Sequence, residues 1–177
     1  MKTVPFLTDP VLADEVVQTL ASDFIGLNWL EYVYPIAQQG IDDDGKTYPM
    51  VYAEDGSSEY YRLSPDDSVK AFSFFTHTGF NAGDFGELNT YNFSLYVWAR
   101  LDKIKTNKND FTMELIGDCL GILHDNECFG CYVETKDPFQ EFTALDYHEN
   151  SMLMRKRTGF RIDFSVYGES NLCESEL

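Results

Sequence analysis

The segment Met152 to Tyr167, MLMRKRTGFRIDFSVY, constrains this chain more than any other, because its closing half alternates strictly between apolar and polar side chains. Phe160, Ile162, Phe164 and Val166 fall on one side of an extended backbone, and Arg161, Asp163, Ser165 and Tyr167 on the other. A strand of this pattern buries one face. Its opening half carries Arg155, Lys156 and Arg157, which with Arg161 make four of only 13 basic residues in the chain. The combination reads as a docking edge: an apolar face for the core and a basic cluster for a partner.

Charge narrows the choice of partner. The net charge is -17. Residues 1–90 hold 15 acids and 4 bases, whereas residues 91–177 hold 15 acids and 9 bases, so the front half is the acidic pole. A field of this sign repels phosphate and disfavours stable binding to nucleic acid. A second basic cluster, Lys103, Lys105 and Lys108, lies in the less acidic half, and the candidate interface set is therefore Lys103, Lys105, Lys108, Arg155, Lys156, Arg157 and Arg161. An apolar fraction of 44% with 15% aromatics argues for a folded core. No run approaches the ~20 apolar residues of a membrane-spanning helix, and the acids and prolines of MKTVPFLTDPVLADE do not suit a secretory signal. The chain is expected to work in a cytoplasm or in a particle assembled there.

The expected elements are two helices in a mostly β protein. Asp9 and Pro10 suit a helix start, and Ala13, Val16, Val17, Leu20, Ala21 and Phe24 recur at helical spacing up to Gly26. Strands are expected over 29–37, 48–53, 60–63, 69–78, 91–104 and 129–135, with Asp42 to Gly45 as a solvated turn and 79–89 as a flexible loop. In the 91–104 strand, Phe93, Leu95, Val97 and Ala99 alternate with Ser94, Tyr96, Trp98 and Arg100, so both faces carry aromatics or bulky groups and a second layer is expected. Asp110 suits the cap of a helix to His124 with Met113, Ile116, Leu120 and Leu123 on one face, and Gly117 and Gly121 are spaced to admit a close neighbour. The stretch 139–147 is aromatic and ambiguous. The chain reads as one domain, 1–177, with 29–75 as an inserted β segment and 168–177 as a mobile tail.

Chemistry is thinly represented. Cys119, His124, Cys128 and Cys131 are weak zinc candidates, since Cys128-Phe129-Gly130-Cys131 is a single knuckle and structural zinc sites usually pair two. Buried reduced thiols are the simpler reading, Cys119 lying on the apolar stripe of its helix. Asp42-Asp43-Asp44-Gly45 lacks the later glutamate of a calcium loop. Of the three histidines, His77 sits in a strand pattern, and His148 has acids beside it but no nucleophile motif. No phosphate loop, nucleophile elbow, zinc-protease signature or dinucleotide fingerprint occurs, so neither catalysis nor a cofactor is expected.

The order of amphipathic helix, antiparallel strands with a long loop, second helix, and a final strand R-x-G-F-R-I-D-F-S-V-Y resembles the tail terminator and head-to-tail joining (neck ring) proteins of tailed bacteriophages, over 91–167 with the first helix consistent. The segment from Trp29 to Phe75 is longer than the simplest such proteins require and is similar to an insertion in neck rings of larger, crAss-like phages. The resemblance implies an α+β fold, a mostly antiparallel sheet packed by two helices with an extra β segment. It also implies a structural virion protein, forming a homo-oligomeric ring between head or portal and tail components, assembled in the host cytoplasm, through which DNA passes without specific binding. The alternative from charge alone is an acidic monomeric binding module that mimics nucleic acid or inhibits a basic partner.

Overall fold

A computed structural model of the chain describes residues 12–52, 60–64, 68–83, 88–104, 111–145 and 157–168. The fold is α+β, with two helices and mostly antiparallel strands. The main sheet has five strands: β1 (Tyr32–Ile36), β5 (Ala71–Asn81), β6 (Asn89–Arg100), β7 (Phe129–Glu134) and β8 (Arg157–Gly168). Their order across the sheet is β1-β5-β6-β8-β7, with every pairing antiparallel except the parallel pair β1 and β5. Between β1 and β5 the chain builds a second, three-stranded antiparallel sheet from β2 (Gln38–Ile41), β3 (Thr47–Tyr52) and β4 (Tyr60–Arg62). Of the segment 29–75, β1 and the start of β5 belong to the main sheet. Residue 168 ends β8, and the rest of the expected tail lies outside the described residues.

Both helices pack on one face of the main sheet. The first, α1 (Leu12–Phe24), buries Val17, Leu20, Ala21 and Phe24 at the spacing of one helical stripe. Asp14 and Glu15 in its first turn favour the positive end of the helix dipole. Its expected cap, Asp9 and Pro10, lies outside the described residues, as does Asp110 for α2 (Phe111–Asp125). The buried stripe of α2 is Leu115, Ile116, Cys119 and Leu123, while Met113, expected inward, is 59% exposed. Gly117 and Gly121 have no close neighbour among the described residues: an added Cβ at either meets nothing within 4 Å. The helix ends in a double backbone closure in which Cys128 N–H donates to the Leu123 carbonyl and Glu127 N–H to that of His124, with Glu127 in the left-handed region at φ 57.

The alternation expected for β6 and β8 sets the two faces. Phe93, Leu95, Val97 and Ala99 of β6 join Phe160, Ile162 and Phe164 of β8 under the helices. On the opposite face Tyr96 and Trp98 pack with Phe72, Phe74, Phe139, Phe142, Leu145, Val51 and Leu63. Full burial of each large apolar side chain contributes about 1.5–3 kcal/mol, so the second cluster is a core in its own right. The expected second layer is supplied by the small sheet and by residues 139–145, which end in a short 3-10 turn at Thr143–Leu145. Phe139 rests over Gly159, where an added Cβ would lie 2.4 Å from its ring. Thr47 and Thr143 fasten the two parts of this layer reciprocally, each hydroxyl accepting the other's backbone N–H at 3.0 and 2.9 Å.

Local chemistry explains the turns. In the β2–β3 connection Asp42 Oδ1 accepts from the backbone N–H of Asp44 at 3.1 Å and of Lys46 at 2.8 Å, and Gly45 takes φ 76. The solvated-turn reading of this acidic run holds. The loop expected from Gly79 is shorter, since β5 continues to Asn81 and β6 begins at Asn89. Aromatic contacts from Phe80 and His77 to Tyr91 keep the two strands together here.

Candidate functional site: a polar groove at the sheet margin

The strand expected to be a docking edge is interior to the sheet. β8 pairs along its whole length with β6 and, from Arg161 to Ser165, with β7. The alternation was compatible with either position, and the basic run did not decide it. Arg161 accordingly is not a free surface cation: its side chain is 12% exposed, with Nε 3.0 Å from Asp163 Oδ1 and Nη1 3.8 Å from Glu141 Oε1. Only Nη2 makes an aligned hydrogen bond, to Asp163 Oδ2 at 3.1 Å, so Nε and Nη1 are buried at ion-pair distance without aligned acceptors. Burial works against its charge, yet Asp163, Tyr96 and Glu141 outweigh that and hold its pKa above the usual value.

The remaining interface candidates are dispersed. Arg157 begins β8 with its guanidinium carbon 5.8 Å from the Trp98 ring centre. Lys103 lies in the turn after β6, its N–H donating to the Arg100 carbonyl at 3.0 Å. Lys105, Lys108, Arg155 and Lys156 lie outside the described residues. The zinc candidates do not form a ligand set either: among the described residues no three His, Cys, Asp or Glu side chains group to hold a metal. Cys119 is wholly buried, its thiol raised well above its ordinary pKa by burial and then by Asp118, and His124 is 90% exposed at the far end of α2. Burial, with Cys131 nearby, pushes the Cys128 thiol to about 12.

What the fold does bring together is a polar network on the face away from the helices. Tyr96 donates its hydroxyl to Glu141 Oε2 at 2.9 Å, and Ser94 donates to Asp163 Oδ1 at 2.5 Å. Burial and then the Glu141 carboxylate raise the Tyr96 pKa, so the phenol stays protonated and donates. Glu141 also carries the network to the surface. Its backbone carbonyl accepts from Gln39 Nε2 at 2.8 Å, which holds the start of the small sheet against residues 139–142.

Beside Glu141 opens a groove of about 730 Å³, walled by Ala13 and Asp14 of α1, Ile36 to Gln39, Thr76 to Thr78 of β5, and Phe142. It exists because β1 stops short. β1 pairs with β5 only as far as Phe75, whereas β5 runs on to Asn81. Among the described residues its polar lining consists of two carboxylates, one imidazole, two amides and two hydroxyls, with no lysine or arginine. Burial raises the Asp14 pKa, and His77 draws it partly back. Such a lining accepts hydrogen bonds and favours a cationic group. Three separate stretches, 13–14, 36–39 and 76–78, meet Glu141 here, so no local motif could have revealed the groove; of its described lining only His77 had been weighed as a functional residue.

Among the described residues no helix is long and apolar enough to cross a membrane. No protein-family model, curated protein or solved structure matches the chain.

Proposed function

We propose that the chain is a structural subunit of a tailed-phage particle, one copy in an oligomeric ring at the neck or tail end that joins head or portal to tail components and leaves a channel for DNA. The observation that carries this reading is the openness of the main sheet, whose two margins are unlike. One is β1 with the overhang of β5, and the other is β7, which meets β8 through a bulge between Phe129 and Tyr132. A closed ring of identical subunits needs a contact between two different surfaces of each copy, and unlike margins are surfaces of that kind. The excess of acid, -17 overall, suits a wall along which DNA moves without sticking. The role is passive: it positions neighbours and turns nothing over.

The decisive measurement is native mass by sedimentation over a range of protein and salt concentration, alone and with candidate head or tail components. A ring-sized species, or one formed only with a partner, is expected. A monomer that persists in every mixture would overturn the ring and favour an acidic binding module.

A further inference from the structure

We propose that the groove beside Glu141 docks an extended basic segment of a different protein, added as a strand along β5 from His77 to Phe80 with a lysine or arginine seated between Asp14 and Glu141. The inference goes beyond the ring reading and does not require it. Backbone geometry supplies the first argument. The Ala71 and Phe75 carbonyls face β1, accepting from Glu31 N–H at 3.0 Å and Ala37 N–H at 2.7 Å. In a strand every second residue faces the same side, so His77 is next in that series. Beyond the bulge between His77 and Gly79, Phe80, paired with Tyr91, takes the outward place. Among the described residues no strand covers this stretch, which leaves main-chain groups available for strand addition.

The side chains supply the second argument. Asp14 stands on the helix side of the overhang and Glu141 on the other, and among the described residues the groove carries no lysine or arginine, His77 being the one basic side chain in its lining. Arg161 reaches Glu141 only from behind, at 3.8 Å, and leaves that carboxylate side chain 51% exposed. Thr76, only 9% exposed and part of the same wall, has a hydroxyl with no hydrogen-bond partner. A buried hydroxyl left unsatisfied is costly, and a polar ligand drawn against the wall relieves it. Charge also selects the source. A second copy brings another -17, whereas a basic segment from another protein is attracted over the whole approach.

The test uses the full chain and a blocked hexapeptide, Thr-Val-Lys-Thr-Val-Thr, with a counterpart carrying glutamate in place of lysine. Titration followed by backbone amide NMR is expected to shift His77 and Phe80 and slow their exchange with the lysine peptide alone. Asp14→Asn should weaken that binding by about tenfold, the worth of one charge-assisted hydrogen bond. Asp14 suits this purpose because burial opposes its charged form, which offsets what the helix dipole and His77 contribute, so the fold should tolerate its neutralisation. Glu141→Gln keeps an acceptor for Tyr96 and serves as the second variant. Unmoved groove amides at millimolar peptide, equal shifts with the glutamate peptide, or self-association that occupies the groove would each overturn the proposal.

Discussion

At the scale of single residues, Arg161 shows why a basic side chain in an acidic protein is a poor guide to a surface. Its sequence neighbours marked it as a docking cation, but its position places it over Asp163 and beside Glu141, contacts that come from 20 residues away as well as from two. Replacing it with methionine keeps the aliphatic packing and removes the cation that both carboxylates face, leaving them the hydroxyls of Ser94 and Tyr96. We expect a loss of about 1–3 kcal/mol, below the range for a fully buried pair because Asp163 retains 35% exposure. Chemical denaturation checks the size, and a double variant with Asp163→Leu should recover part of the loss. If the two losses simply add, the ion pair contributes nothing. Gly159 makes the complementary case, in which absence of a side chain is the requirement. A methyl group there would press on Phe139 at 2.4 Å and on the Val97 carbonyl at 3.3 Å, so Gly159→Ala should cost about 1–3 kcal/mol and lower the melting temperature, most of it by displacing Phe139.

At the scale of elements, the sequence was legible wherever periodicity alone decides the outcome. The stripes Val17, Leu20, Ala21, Phe24 and Phe160, Ile162, Phe164 are buried as their spacing requires. Substituting aspartate for Phe164, 2% exposed among Phe75 and Phe93, should abolish cooperative unfolding, since a charge would enter the core without a partner. A soluble variant with native circular dichroism would show that this register is wrong. What periodicity could not deliver was lateral order. It assigned β8 to an edge because a half-polar strand satisfies either an edge or the interior of a half-covered sheet, and it missed β2, whose Gln-Gln-Gly-Ile has no apolar alternation. It also gave no hint that β1 runs parallel to β5, since direction depends on the chain's route through the small sheet. The end of α2 fell within one residue of its expected place, but its closure was not legible, because it uses Glu127 in the left-handed region, where glycine is the usual occupant. Glu127→Gly removes that strain and should stabilise the protein by about 1 kcal/mol, read as a rise in denaturant midpoint at unchanged slope.

At the scale of the whole molecule, function depends on which surfaces remain after the core is satisfied. The helices cover one face of the main sheet, and the small sheet with residues 139–145 covers part of the other, so among the described residues the margins and the groove are what the fold leaves for partners. None of these is written in consecutive residues, which is why the sequence revealed a fold class and a charge distribution but not a site. The basic run Arg155-Lys156-Arg157 remains the clearest sequence-level candidate for a contact between subunits. Changing all three to glutamate takes the net charge from -17 to -23. At Arg157 the change removes a cation–π contact to Trp98, worth about 0.5–1 kcal/mol, which is small beside the roughly 5–15 kcal/mol typical of a folded domain, so the subunit should still fold. Repulsion in place of attraction should then suppress assembly, most strongly at low salt, where charges act over a Debye length of about 30 Å in place of about 8 Å. Sedimentation of the triple variant beside the parent chain, at matched concentration and two ionic strengths, separates the outcomes. A folded variant that stays small where the parent forms a ring places the basic run in the contact. Assembly equal to that of the parent would make the run a solvated surface and move the subunit contact to the sheet margins alone.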